Sequence, residues 1–116
     1  MKDIVMASEI IDETASHCKV FYELVVGTSR KRELVKARHL SMYYVDVFIN
    51  DTLDNKGSIF GENKDHVDII YARHSVNNQA GVYKEYRENL ELLRMKILDR
   101  LDCNLAIYKN YDTDLV

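Results

Sequence analysis

No proline occurs in the 116 residues, and only four are glycine. These two residue types stop helices and shape tight turns, so a chain this poor in both lacks the punctuation an all-β fold needs every few residues. Long helices joined by short polar turns are the simplest alternative, and the expected fold class is all-α. An apolar fraction of 47% beside a charged fraction of 30% supplies a core for one modest domain and separates the chain from disordered sequences.

The helical period runs along most of the chain. Ile4, Val5, Ala7, Ile10, Ile11, Thr14, Ala15 and Cys18 recur at steps of three and four, predicting a first helix that ends near Cys18. Val20–Val26, VFYELVV, is β-prone in composition but has no second strand candidate to pair with, so it reads as a helical turn. From about Leu34 to Asn50 both sides are apolar, the mark of the most buried helix.

Asp51 and Thr52 are N-cap types, and Gly61 after Phe60 suits a C-cap. The next helix is expected from about Lys64 to Asn77, capped by Asn63 or Asp65, so residues 51–77 outline a helix-turn-helix. Asn77 to Gly81 are expected to loosen the chain before a last helix striped by Tyr83, Tyr86, Leu90, Leu93, Ile97 and Leu101. That stripe serves either the domain's own core or a homodimer seam, and it is too short for a zipper. The organisation read from this pattern is one domain over residues 1–101, followed by an acidic tail over 102–116.

Several function classes fall away on spacing. His66 and His74 stand eight positions apart on one helix, roughly 12 Å at the standard rise, so they do not share a metal ion. Asp65 and His66 are adjacent, and neighbouring helical side chains diverge by about 100°, which argues against a catalytic pair. No nucleophile elbow and no phosphate-cradling glycine loop occur, so neither an enzyme nor a nucleotide or other cofactor is expected. Cys18 and Cys103 sit in no metal or redox spacing, and the amino terminus never reaches the apolar length of a signal peptide or membrane span. Together these features predict a cytoplasmic protein with no membrane partner.

The net charge of −3 hides a strong local asymmetry. Residues 27–40, GTSRKRELVKARHL, carry Arg30, Lys31, Arg32, Lys36 and Arg38 against Glu33, a local charge of +4. A basic loop beside a helix-turn-helix points to duplex DNA, whose phosphates supply most of the binding free energy. At the head of the second helix Lys64 suits a phosphate and Asp65 a cytosine amino group; His66 suits a base acceptor or a thymine methyl. The alternative leaves Asp65 as a plain N-cap and His66 as a surface residue.

Three stretches then resemble the carboxy-terminal DNA-binding domain (domain IV) of the bacterial chromosomal replication initiator DnaA, a Trp-repressor-like helical bundle. They are IIDETASHCKVFYELVVGTSRKRELVKARHLSMYY, GSIFGENKDHVDIIYARHSV and KEYRENLELLRMKI, together spanning about residues 10–98. The family's signature Gly-Arg-Asp-His-Thr-Thr-Val appears here as Asn63, Lys64, Asp65, His66, Val67, Asp68 and Ile69, with one extra residue in the turn after Phe60 and Gly61.

By that match Asp65 and His66 are implied to read bases, Lys64 to hold a phosphate and Arg30 to enter the minor groove. Lys36 and Arg38 match further phosphate-holding positions, and Lys31 and Arg32 lie among them in the basic loop. Val67 replaces a threonine that helps read a base, keeping methyls for a thymine contact but losing the hydroxyl. Asp68 replaces a threonine near the DNA backbone, and residues 41–72 hold two cations against six acids. The resemblance does not reach the initiator's nucleotide-binding module. It implies a stand-alone binder of double-stranded DNA, as a replication accessory or transcriptional regulator, or else an interaction module of the same fold that has lost DNA binding.

Overall fold

A computed structural model describes residues 2–114, with side chains described from 5 to 102. The described residues form six helices: α1 (Lys2–Cys18), α2 (Tyr22–Val25), α3 (Arg32–Phe48), α4 (Leu53–Ser58), α5 (His66–Val82) and α6 (Lys84–Asp114). The fold is all-α, as the scarcity of breakers implies. No helix among these residues is long and apolar enough to cross a membrane.

The predicted first stripe is the buried face of α1: Ala7, Ile10, Ile11 and Ala15 are all buried. Lys19 takes the left-handed conformation at φ 60° and lets Val20 N–H reach back to the Ala15 carbonyl, closing the helix without a glycine. The β-prone segment after it is the single turn α2, because with no partner strand its backbone groups are satisfied locally. Helix α3 is central, packing against α1, α2, α4 and α5. It buries residues on more than one side, Leu34, Ala37, Leu40, Met42, Tyr44 and Val45 among them.

Two boundaries differ from the sequence pattern. Helix α5 does not loosen at Asn77 but continues through Gly81 to Val82. Asn and Gly cost a helix only about 1 kcal/mol or less each, and local bonds oppose that cost: Gln79 donates to the Ser75 carbonyl and Arg87 to the Ala80 carbonyl. The chain turns instead at Tyr83, which is extended at φ −108° and ψ 115°. Helix α6 likewise carries past residue 101, so the acidic tail read from 102 begins inside a helix.

The stripe on α6 is spent on the domain's own core. Leu93, Ile97 and Leu101 are buried and Tyr86 and Leu90 partly so, whereas Tyr83 lies outside at 61% exposure. Arg100 ties α6 to α1 by pairing with Glu9, Asp12 and Glu13, and the Tyr44 hydroxyl of α3 donates to the Leu90 carbonyl.

Candidate nucleic-acid interface

The helix-turn-helix is assembled by short polar side chains that the sequence places at each helix start. Thr52 caps α4 by accepting from Asn55 N–H at 3.2 Å, and Asp51 accepts from Thr52 N–H and the Asn55 amide. After Phe60, which is buried, Gly61 adopts φ +149° and its carbonyl accepts from Lys64 N–H. Asp65 then caps α5, accepting from Val67 N–H at 2.9 Å, while Asp68 reciprocates by accepting from Asp65 N–H at 3.0 Å. This is a capping box built from two aspartates.

A partly buried ion-pair cluster holds α3, α4 and α5 together. Asp46 of α3 receives Lys56 of α4 at 3.1 Å and Arg73 of α5 at 2.8 Å, with Lys56 only 7% exposed. The acid surplus of residues 41–72 is thus largely structural. Asp46 faces two cations, and Asp51, Asp65 and Asp68 satisfy helix-start amides. Asp68, read from sequence as lying near the DNA backbone, has this capping task.

One further carboxylate acts across the turn. Asp54 of α4 accepts from His66 N–H at 3.1 Å and stands 2.8 Å from His66 Nδ1. The hydrogen bonds from the His66 side chain and backbone hold the Asp54 carboxyl below its ordinary value.

The basic loop and the head of α5 open on one cleft. It is lined by Arg30 with Thr28 and Ser29 from the loop, His39 from α3, Lys64 from the turn, and Asp68 and Tyr71 from α5. His39 packs against Tyr71 with ring centroids 5.4 Å apart. Burial, then the charges of Arg38 and Lys64, push the His39 imidazole below its ordinary value, against a smaller opposing effect of Asp68.

The residues expected to meet DNA divide into three groups. Lys64, Asp65, His66 and the exposed Val67 lie at the start of α5, with Arg30 beside Lys64 in the cleft. Lys31 is the N-cap of α3, and Arg32 and Lys36 line a neighbouring groove with Arg30, His39 and Tyr83. Lys36 also sits over the Tyr86 ring, 5.9 Å from its centroid.

Arg38 lines the same cleft as Arg30 and Lys64 but is itself buried. It is 5% exposed, and its guanidinium donates to the carbonyls of Val25, Ser29 and Leu24 at 2.7, 3.0 and 3.3 Å. Beside the phosphate contact expected from the sequence, the guanidinium therefore has a structural task, which is to hold α2 and the basic loop against α3. Its place in a basic run disguised that task, because a cation i+4 from Leu34 on an apolar helix face is visible only once the face is known to be buried.

Sequence reasoning did not single out His39, Asp54 or Tyr71. Tyr71 carried a signal, lying one turn after Val67 on the same helix face. Asp54 carried none, since its partner lies across a turn. Among the described residues, no three His, Cys, Asp or Glu side chains are grouped to hold a metal ion.

Comparison with known proteins adds a family. The model of the bacterial dnaA protein helix-turn-helix matches residues 7–76. The chromosomal replication initiator protein DnaA of Thermus thermophilus is 35% identical over 86 residues, covering 74% of this chain and 20% of that protein. The Bacteroides fragilis protein of the same name is 32% identical over 87 residues, covering 75% and 18%. That of Mycoplasma capricolum is 31% identical over 74 residues, covering 64% and 16%. The chain spans about a fifth of the length of the relatives it matches.

Proposed function

The chain belongs to the bacterial DnaA helix-turn-helix family, and from that premise we propose that it binds double-stranded DNA, without catalysis, through α5 and the basic loop. The observation that carries this reading is the shared cleft. Arg30 and Lys64, distant in sequence, line one surface at the exposed head of a helix whose first residues are His66 and Val67. In such a pose Lys64 holds phosphate, while His66 and Val67 face base edges. Asp65 is exposed as well as capping and stays among the base-reading candidates. An arginine in the minor groove and a helix in the adjacent major groove straddle one sugar-phosphate strand, and Arg30 supplies the former. Arg32 and Lys36 extend the positive edge along the neighbouring groove, and Lys31, between Arg30 and Arg32 in the chain, adds an exposed cation beside them.

The relatives are named as chromosomal replication initiators. We assign this chain to the same setting in the cytoplasm, as a replication accessory or transcriptional regulator. The alternative, an interaction module dimerising through α6, has less support, because Leu93, Ile97 and Leu101 are buried in the domain's own core. Unbiased selection of duplex sequences by the purified chain at moderate salt tests the proposal. Enrichment of a motif with salt-dependent affinity is expected, and recovery of no duplex above background refutes it.

A further inference from the structure

Asp54 has no role in the DNA-reading scheme above, yet it makes the only side-chain hydrogen bond recorded for His66 among the described residues. It approaches from α4, and one oxygen, Oδ1, serves both the His66 backbone N–H at 3.1 Å and the ring at 2.8 Å. An ionised carboxylate only accepts hydrogen bonds, so the ring nitrogen facing it, Nδ1, must carry the proton. In a neutral imidazole the other nitrogen, Nε2, is then a bare acceptor. His66 is the first residue of α5 and is exposed, so this acceptor belongs to the end of the helix that meets a base edge.

We infer that Asp54 is a positioning residue that sets the base preference of His66, by holding the ring as the Nδ1–H tautomer and presenting Nε2 as an acceptor for a base amino group. In the major groove those groups are adenine N6 and cytosine N4, whereas guanine and thymine offer O6, N7 and O4 acceptors that a bare nitrogen repels. The donor role read from the sequence is thereby reversed. The two hydrogen bonds to one oxygen also fix the ring to the backbone, so the acceptor's direction is fixed with it. The inference rests on the proposal that α5 reads duplex DNA, but the tautomer itself does not.

Two measurements on the full chain separate the claims. Nitrogen-15 NMR of the His66 ring at about pH 8, above the ordinary imidazole range, reads the tautomer directly. The Nδ1–H form is expected in the parent, and a shift toward Nε2–H in Asp54→Ala. Selection from a random duplex library, run in parallel, should give adenine or cytosine at one position for the parent. Asp54→Ala should lose that preference about tenfold or more, the scale of one base contact. Asp54→Asn, whose amide can donate or accept, should fall between the two. A parent ring in the Nε2–H form overturns the inference, as does a base preference unchanged in Asp54→Ala. Failure of every variant to enrich any duplex, with the Nδ1–H tautomer present, overturns the DNA-binding reading and the base preference with it. Circular dichroism of each variant shows whether α4 and α5 remain folded.

Discussion

Gly57 of α4 faces the backbone of Asp65 so closely that a β-carbon at position 57 would stand 2.6 Å from the Asp65 carbonyl carbon and nearer still to its oxygen. The approach of the two helices in the helix-turn-helix therefore depends on the absence of one methyl group. Gly57→Ala must push α4 away from the α5 cap, and overpacking of this kind costs about 1–3 kcal/mol. Thermal denaturation should show the loss, with DNA affinity falling alongside. Gly81→Ala is the matched control, since nothing lies within 4 Å of its added carbon. In the exposed last turn of α5 it should be neutral or stabilise by at most about 0.5–1 kcal/mol.

Arg38 and Arg30 should separate cleanly. Removing the Arg38 guanidinium strands the Val25 and Ser29 carbonyls and leaves Leu24 with only Gly27 N–H, so Arg38→Ala is expected to cost roughly 2–3 kcal/mol of stability in a denaturant titration. Arg30→Ala should leave the denaturation midpoint unchanged and weaken a selected duplex by ~1–3 kcal/mol. The opposite pattern would return Arg38 to the DNA surface.

Asp46 is the shared acceptor of Lys56 and Arg73. Asp46→Ala leaves Lys56 buried without its counter-charge, a defect worth about 3–5 kcal/mol. Lys56→Met, which removes the charge but keeps the apolar stem, should be much milder. Urea unfolding of the two variants measures the difference, and equal losses would contradict the assignment.

The pH response of stability follows from His39. Its folded value lies below the ordinary imidazole value of 6.5, so the unfolded chain binds more protons in that window. Stability should therefore fall as pH drops through and below about 6.5, and His39→Gln should flatten that part of the curve. Asp54, shifted below its ordinary value, acts at lower pH, adding stability above the carboxylate range and losing it as the group protonates. Melting curves from pH 5 to 8 resolve the first effect.

Much of the architecture was legible before any coordinates. The α1 stripe, the buried α3, the Thr52 and Asp65 caps and the helix-turn-helix all rest on local spacing and on capping chemistry confined to a few residues. Asp65, read as both a cap and a base-reading residue, is a cap in the structure. The end of α5 was not legible, because Asn77 to Gly81 look like a loop until the Arg87 and Gln79 bonds are known.

By itself the sequence determined the fold class, the family signature and the cluster of cations, since periodicity, breaker content and charge are properties of neighbours along the chain. Only the tertiary structure decided which cations face solvent and which are consumed. Arg38 turns inward to carbonyls from α2 and the loop, Arg30 meets Lys64 across a cleft, and Asp54 reaches His66 over a turn. Each of these depends on which helix faces pack together, and therefore on contacts between residues that the linear order keeps apart.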